Sequence, residues 1–547
     1  MAEEQLGRAR DAYVRGRWDE AYVAFESVRT TGDLPVADLA AMADAAWWLG
    51  HNDRSLGLSE EVHRRLLQAG EIASAAQAAV EIGFLWFLRG EPTVGSGWVS
   101  RASRLLADLP ESAAHGYLLY LDVEDAKAHG EHARAIAQAR RMQVLGTRHH
   151  DVTLATLGLA LEGIVQVRAG RVADGMGVLD EAMLAVHAGQ VTRDWAGNLY
   201  CQLMALFVDL GDIPRARAWT EATERWCDGF SNAAMFLGIC RVHRAQLFNL
   251  AGDWSAAERC ATQASQDLAD MNVAVVAEAE YQLGELRRLR NDRDGADRAY
   301  ARAHELGRDP QPGRALLRLA QGRTEPARGS LDAALAATTD PLQRAPLLAA
   351  RVEVALVEGA EDRATEAARE LTDTAETYAT PGLVASARQA AGTARLLAGE
   401  PERALPLLRE ACRLWRELDA RHRTACTRAR LAEALADVGD GETADQERRL
   451  ASSAFAELGA THDLERLTGR RPGPDDELPG GLSAREAEVL VLVASGRSNR
   501  QVATELTLSE RTVERHLSNI FVKLDVSSRT EAAAFAFAHG LGDHVPG

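Results

Sequence analysis

Amphipathic helical segments fill the first 460 residues, interrupted at nearly fixed intervals by a residue suited to ending a helix. The breaks fall at Gly16, Gly50, Gly90, Gly130, Gly170, Gly211, Gly252, Asn291, Gly322, Gly359, Gly399 and Gly439, spaced 31 to 41 residues apart. Glycine or asparagine just past a helix adopts the left-handed conformation that stops it. Five residues after each break stands a small residue: Ala21, Ser55, Gly95, Ala135, Gly175, Ala216, Ala257, Ala296, Ala327, Ala364, Ala404 and Ala444. A small side chain at that point lets the second helix of a hairpin cross the first at close range. One hairpin cannot bury its apolar stripe alone, so the pattern predicts a solenoid of stacked helical hairpins.

Composition agrees. Alanine, leucine, arginine and glutamate dominate, and runs of β-branched and aromatic residues are hard to find, which predicts an all-α chain. At 547 residues it is too long for one ordinary core. The G-x-x-x-x-A spacing resembles the tetratricopeptide repeat over most of residues 5 to 460. The unit here is nearer 40 residues than the family's roughly 34, and the signature tryptophan and tyrosine are irregular. The resemblance implies a tetratricopeptide-like superhelical array whose concave face takes peptides, partner helices or small ligands, similar to the sensor portion of large helical-repeat transcription activators.

Beyond the array the punctuation changes. Thr468 to Gly481 reads TGRRPGPDDELPGG; its prolines lack an amide donor and its glycines disfavour a helix, so it predicts a linker. The expected domains are therefore 1–467 (array), 468–481 (linker) and 482–547 (a C-terminal module). In the module, Ser483-Ala484-Arg485-Glu486 is a capping box opening a helix with Val489, Leu490 and Val493 inward, which Gly496 ends. Ser498-Asn499-Arg500-Gln501 opens a short second helix through Leu506. After a tight turn, Thr507-Leu508, Ser509 caps a third helix to about Leu524, and Ser528 caps a fourth through about Ala538. Two short helices, a tight turn and a capped longer helix predict a helix-turn-helix unit. On the third helix Val513, Leu517, Ile520 and Leu524 form the inward stripe; Arg511, Glu514, Arg515, Ser518 and Val522 occupy the opposite face.

The net charge of −18 argues against nucleic acid until its distribution is read. From Leu478 onward seven basic residues stand against eight acidic ones, so nearly all the excess negative charge resides in the array. Lys127 and Lys523 are the only lysines, and neither follows the glycine-rich loop that cradles nucleotide phosphates. With no nucleophile-base arrangement or metal spacing either, the expectation is not an enzyme, with no cofactor. Cys201, Cys227, Cys240, Cys260, Cys412 and Cys426 lie far apart in helical patterns and read as reduced core thiols. His149-His150-Asp151 reads as a solvated loop, and Trp47, Trp48, Trp219 and Trp226 as packing residues. Without an apolar membrane span or signal segment, the expected location is the cytoplasm.

The run LSAREAEVLVLVASGRSNRQVATELTLSERTVERHLSNIFVKLDVSSRTEA resembles the DNA-binding domain of the LuxR family of bacterial regulators. Matching positions include Glu486, Gly496, Ser498, Ala503, Leu506, Ser509, Val513, His516, Ile520 and Leu524. The resemblance implies a four-helix module on double-stranded DNA, its third helix in the major groove and its fourth often a homodimer contact. Glu514, Arg515 and Ser518 then hold the base-facing positions. Asn499, Arg511, Thr512, Lys523, Arg529 and Thr530 form the backbone-contacting or positioning group. Two residues depart from the family: Glu514 replaces a common lysine, and Asp525 a common glycine.

These readings predict a one-component transcription regulator in which the array senses a small molecule or protein and the tail binds a two-fold DNA site. In the LuxR family such binding usually recruits RNA polymerase. The alternative is a protein-interaction scaffold whose helix-turn-helix tail contacts protein or is vestigial.

Overall fold

The computed structural model describes residues 2–469, 482, 484–506, 508–524, 526 and 528–539. Among them are twenty-nine α-helices and no strand. Of the expected linker, 468–481, residues 470–481 lie outside the described residues, as do Ser483, Thr507 and Asp525. The chain forms two compact units: Met1–Arg288 with Asp292–Ala420, and Leu289–Asn291 with Arg421–Gly547.

The first unit consists of antiparallel helical hairpins, and the twelve breaks read from the sequence all take positive φ, from 62° at Gly211 to 88° at Gly439. Gly252 shows how one works. The helix Ala234–Ala251 stops there at φ 81°, where a Cβ would be strained. The next residue, Asp253, then caps the helix Trp254–Asp267 by accepting from the Ala256 amide at 3.1 Å. The asparagine among the glycines, Asn291, takes φ 64° in the same role.

The small residue five positions on is buried in all twelve cases. At Gly175 the reason is measurable: a Cβ there would lie 2.6 Å from the Gly163 carbonyl oxygen. The helices Val152–Arg168 and Val172–His187 thus meet backbone to backbone.

Hairpins far apart in sequence also touch within the first unit. The Tyr378 hydroxyl donates to the Arg168 carbonyl at 2.6 Å, and Arg168 pairs with both Asp209 and Asp340. The Ser231 hydroxyl accepts from the Trp18 amide at 2.9 Å, 213 residues away. The Arg193 guanidinium lies 5.3 Å over the Trp18 ring. Around these contacts the aromatic residues form core: Trp48, 2% exposed, stacks on Trp18 at 4.9 Å and meets Trp226, Phe230 and Phe236. The tryptophans are packing residues here, as the sequence implied.

Asp151, next to the paired histidines, caps the helix Val152–Arg168 through the Leu154 amide at 2.9 Å and also accepts from the Tyr117 hydroxyl. His150 supplies the positive φ, 55°, of that turn. All six cysteines are free thiols. Among the described residues no helix is long and apolar enough to cross a membrane.

In the second unit the helices Arg421–Asp437, Gly441–Leu458 and Thr461–Thr468 precede a four-helix module: Ala484–Ala494 (α1), Asn499–Glu505 (α2), Glu510–Leu524 (α3) and Arg529–Ala538 (α4). Each module helix lies within about two residues of its sequence expectation.

Candidate nucleic-acid interface

The module is built around α3. Val513, Leu517 and Ile520 project from it into a core with Leu482, Val489, Leu490, Val493, Val502, Ala503, Ala532 and Ala536. Burying each large side chain stabilises the module by roughly 1.5–3 kcal/mol. Leu524, the last residue of the expected stripe, is half-buried. Ala503 on α2 is 5% exposed, which fits a close crossing.

Caps fix where the helices begin. The Ser498 amide donates to Gln501 Oε1 at 2.8 Å, and the Gln501 amide returns a bond to the Ser498 hydroxyl at 3.4 Å, a reciprocal capping box. Gly496, at φ 81°, separates α1 from α2. The Leu508 amide bonds back to the Ala503 carbonyl at 2.8 Å, closing the turn between α2 and α3. Ser509 accepts from the Thr512 amide at 3.1 Å and starts α3, and Ser528 accepts from the Glu531 amide at 3.2 Å and starts α4.

With its apolar side fixed inward, α3 turns a polar face to solvent. Arg511, Glu514, Arg515, Ser518 and Asn519 are all exposed. Arg500, Arg511 and Arg515 make no ion pair among the described residues. The Ser518 hydroxyl donates to the Glu514 carbonyl at 3.0 Å. Thr530 is exposed at the start of α4.

Other members of the expected positioning group bind within the module. Lys523 pairs with the buried Glu486 carboxylate at 2.6 Å. Arg529 donates to Asn499 Oδ1 at 2.8 Å and to the Arg497 carbonyl, so it ties α4 to α2. The Thr512 hydroxyl lies 2.7 Å from that of Ser509. Arg485 and Arg497, neither among the expected DNA-contacting residues, pair with Glu488 and Glu505. The cationic groups on the module surface are thus fewer than its basic residues, and α3 and α2 carry them.

One side of α3 also faces the helix Gly441–Leu458 within the same unit. Ser453, Ala456 and Glu457 line a cleft of about 330 Å³ together with Arg485, Leu508, Thr512, Arg515 and His516. Burial, and then the adjoining Arg515 charge, hold His516 below the ordinary histidine range. Glu514 and Ser518 do not line the cleft.

Residues 481–536 match the family model described as bacterial regulatory proteins, luxR family. The C-terminal module is a luxR-type domain. It is similar to an uncharacterized transcriptional regulatory protein, YhcZ, of Bacillus subtilis (strain 168), at 42% identity over 72 residues, covering 13% of this chain and 34% of that protein. The transcriptional regulatory protein LiaR of the same organism is 41% identical over 76 residues, covering 14% of this chain and 36% of its own length. The chain thus spans about a third of the length of these relatives. The chain also aligns, over 85% of its length and 96% of the other, with the crystal structure of the APC/C hetero-tetramer Cut9-Hcn1, at 13% identity and a TM-score of 0.35.

Two exposed apolar residues of the luxR-type module complete its surface. Val522 on α3 is 75% exposed, in line with Arg511, Arg515 and Ser518. Phe537 on α4 is 65% exposed, while Phe535 is half-buried and stacks on His539 at 3.9 Å. The sequence carried a signal for Phe537: residues two apart on a helix point in nearly opposite directions, so Phe535 and Phe537 cannot both face inward.

Proposed function

We propose that the protein is a sequence-specific DNA-binding transcription regulator of the cytoplasm, in which α3 of the luxR-type module enters the major groove. The observation that carries the reading is the exposed polar face of α3, set by its caps and buried stripe, with Arg511 and Arg515 outward and in no ion pair among the described residues. Arg515 has the paired donors that match guanine O6 and N7, Glu514 accepts from a cytosine amino group, and Ser518 completes the base-facing set. Arg511, together with Asn499, Thr512 and Thr530, meets phosphates. In this reading Lys523 and Arg529 act chiefly by positioning α3 and α4 through their bonds inside the module.

The 1–467 array, joined through the 468–481 linker to the 482–547 module, receives the signal as a small ligand or protein, and bound DNA-regulator complexes engage RNA polymerase. Homodimers form through α4, where Phe537 offers an apolar contact, and bind a two-fold site. Chemistry is left to the partners, with the chain itself not an enzyme.

A gel-shift titration on a selected duplex tests this. With Arg511 and Arg500 as the principal phosphate-neutralising cations of each module, a dimer releases about four counterions, so log K falls with log salt at a slope of about −4. Binding that ignores salt and base sequence would remove the proposal.

A further inference from the structure

Away from the luxR-type module, three side chains of metal-binding type converge in the second unit. His422 and Cys426 stand four residues apart on the helix Arg421–Asp437, hence on one face. Asp463 approaches from the first turn of the helix Thr461–Thr468. Asp463 Oδ2 is 2.8 Å from His422 Nε2, and Cys426 Sγ is 3.7 Å from the same nitrogen. One ligand atom from each of the three lies within 4.8 Å of the others.

We propose that His422, Cys426 and Asp463 bind a zinc ion, which pins the helix Thr461–Thr468 to the helix Arg421–Asp437. Tetrahedral zinc with bonds of about 2.3 Å to sulfur and about 2.0–2.1 Å to nitrogen and oxygen sets S···N near 3.6 Å and N···O near 3.4 Å. The observed sulfur–nitrogen distance already agrees. The nitrogen–oxygen pair needs to open by roughly half an ångström, as loss of the intervening proton to solvent would allow. Thiolate, neutral imidazole and carboxylate together offset the charge of a divalent ion, and the mixed S, N, O set suits zinc better than magnesium or calcium. The side chains of His422 and Asp463 are 15% and 17% exposed, enough for an ion to enter and for water to take the fourth position.

The same residue types form a nucleophile, base and orienting acid in thiol hydrolases, but the geometry differs. In such a triad the thiol and the carboxylate address opposite ring nitrogens. Here Cys426 Sγ is nearly equidistant from both nitrogens, 3.8 Å from Nδ1 and 3.7 Å from Nε2, and the carboxylate is on Nε2. The sulfur therefore favours neither nitrogen, unlike the thiol of a triad, and lies within ligand-to-ligand distance of the nitrogen that the carboxylate addresses. The sequence reading of Cys426 as a core thiol did not bring these side chains together, because Asp463 is 41 residues from His422.

The test is cobalt substitution in the full chain after chelator treatment. The expected result is one equivalent of Co²⁺ bound with a thiolate-to-cobalt charge-transfer band, displaced by Zn²⁺. Cys426→Ser should abolish the band, while His422→Gln and Asp463→Asn, with unchanged circular dichroism, weaken cobalt binding about tenfold or more. Should Cys426→Ser misfold, the other two variants decide. Bound zinc should also slow alkylation of Cys426 at least about tenfold. Absence of the charge-transfer band, its survival in Cys426→Ser, cobalt affinity unchanged in both His422→Gln and Asp463→Asn, or alkylation of Cys426 at equal rates with and without zinc would each overturn the proposal.

Discussion

Lys523 donates to the Glu486 carboxylate at 2.6 Å, joining the end of α3 to the start of α1. The lysine side chain is 37% exposed and the glutamate 6%, so the pair sits at the edge of the module core. The one lysine of α3 is thus committed to holding that helix at its angle.

Lys523→Met should therefore cost stability rather than chiefly affinity. A charge-assisted bond to a nearly buried carboxylate contributes about 1.5–3 kcal/mol, discounted here for the exposed lysine. Chemical denaturation of Lys523→Met, Glu486→Gln and the double variant measures the pair directly. A coupling energy near zero would show that the two residues act independently.

The hairpin breaks make a second prediction. Gly252→Ala forces a side chain into φ 81° and should destabilise the first unit by about 1–2 kcal/mol. Asn291→Gly, at φ 64°, should be neutral or slightly stabilising. Ala257→Leu, at a crossing where alanine is 0% exposed, should cost about 1–3 kcal/mol or more through overpacking. Thermal unfolding checks all three. Equal midpoints for wild type and Gly252→Ala would contradict the left-handed cap.

Much of this architecture was readable because it is local. A cap such as Ser498 with Gln501, a stop such as Gly252, and the stripe of Val513, Leu517 and Ile520 all depend on residues within a few positions of each other. The contacts that return across the array were not readable, because nothing near Trp18 announces Ser231, nor anything near Arg168 announces Tyr378. The same limit applied to the exposed face of α3. Periodicity placed Glu514, Arg515 and Ser518 outward, but it could not show that Lys523 meets Glu486 or that Arg529 meets Asn499. Those choices belong to tertiary packing.

Asp44 predicts a pH dependence. Its carboxylate accepts from the Tyr13 hydroxyl at 2.8 Å. Burial, then the neighbouring Asp194 charge, push its pKa up to about 7. The unfolded value is about 4, so between these pH values the folded chain holds a proton that the unfolded chain has released. The contribution of Asp44 to stability therefore falls as pH rises from about 4 to about 7 and stays low above that. Asp44→Asn should raise the melting temperature at pH 8 and flatten its decline from pH 5. A variant that tracks wild type at every pH would remove Asp44 as the cause.

Phe537 tests the assembly. Phe537→Asp should leave the circular dichroism of the protein unchanged, because the side chain is 65% exposed, and should weaken dimer formation on a two-fold DNA site. Analytical ultracentrifugation with and without duplex distinguishes the outcomes. A dimer of undiminished affinity would place the contact elsewhere.

The most direct measurement of the central claim is selection of binding sites from a random duplex library by the full chain and by its Arg515→Ala variant. The wild type should enrich a two-fold motif with a fixed guanine in each half-site. Arg515→Ala should retain the fold and the salt dependence while losing about 1–3 kcal/mol of preference at that one position. Enrichment of no motif, or of the same guanine by both proteins, would contradict docking of α3 through Arg515.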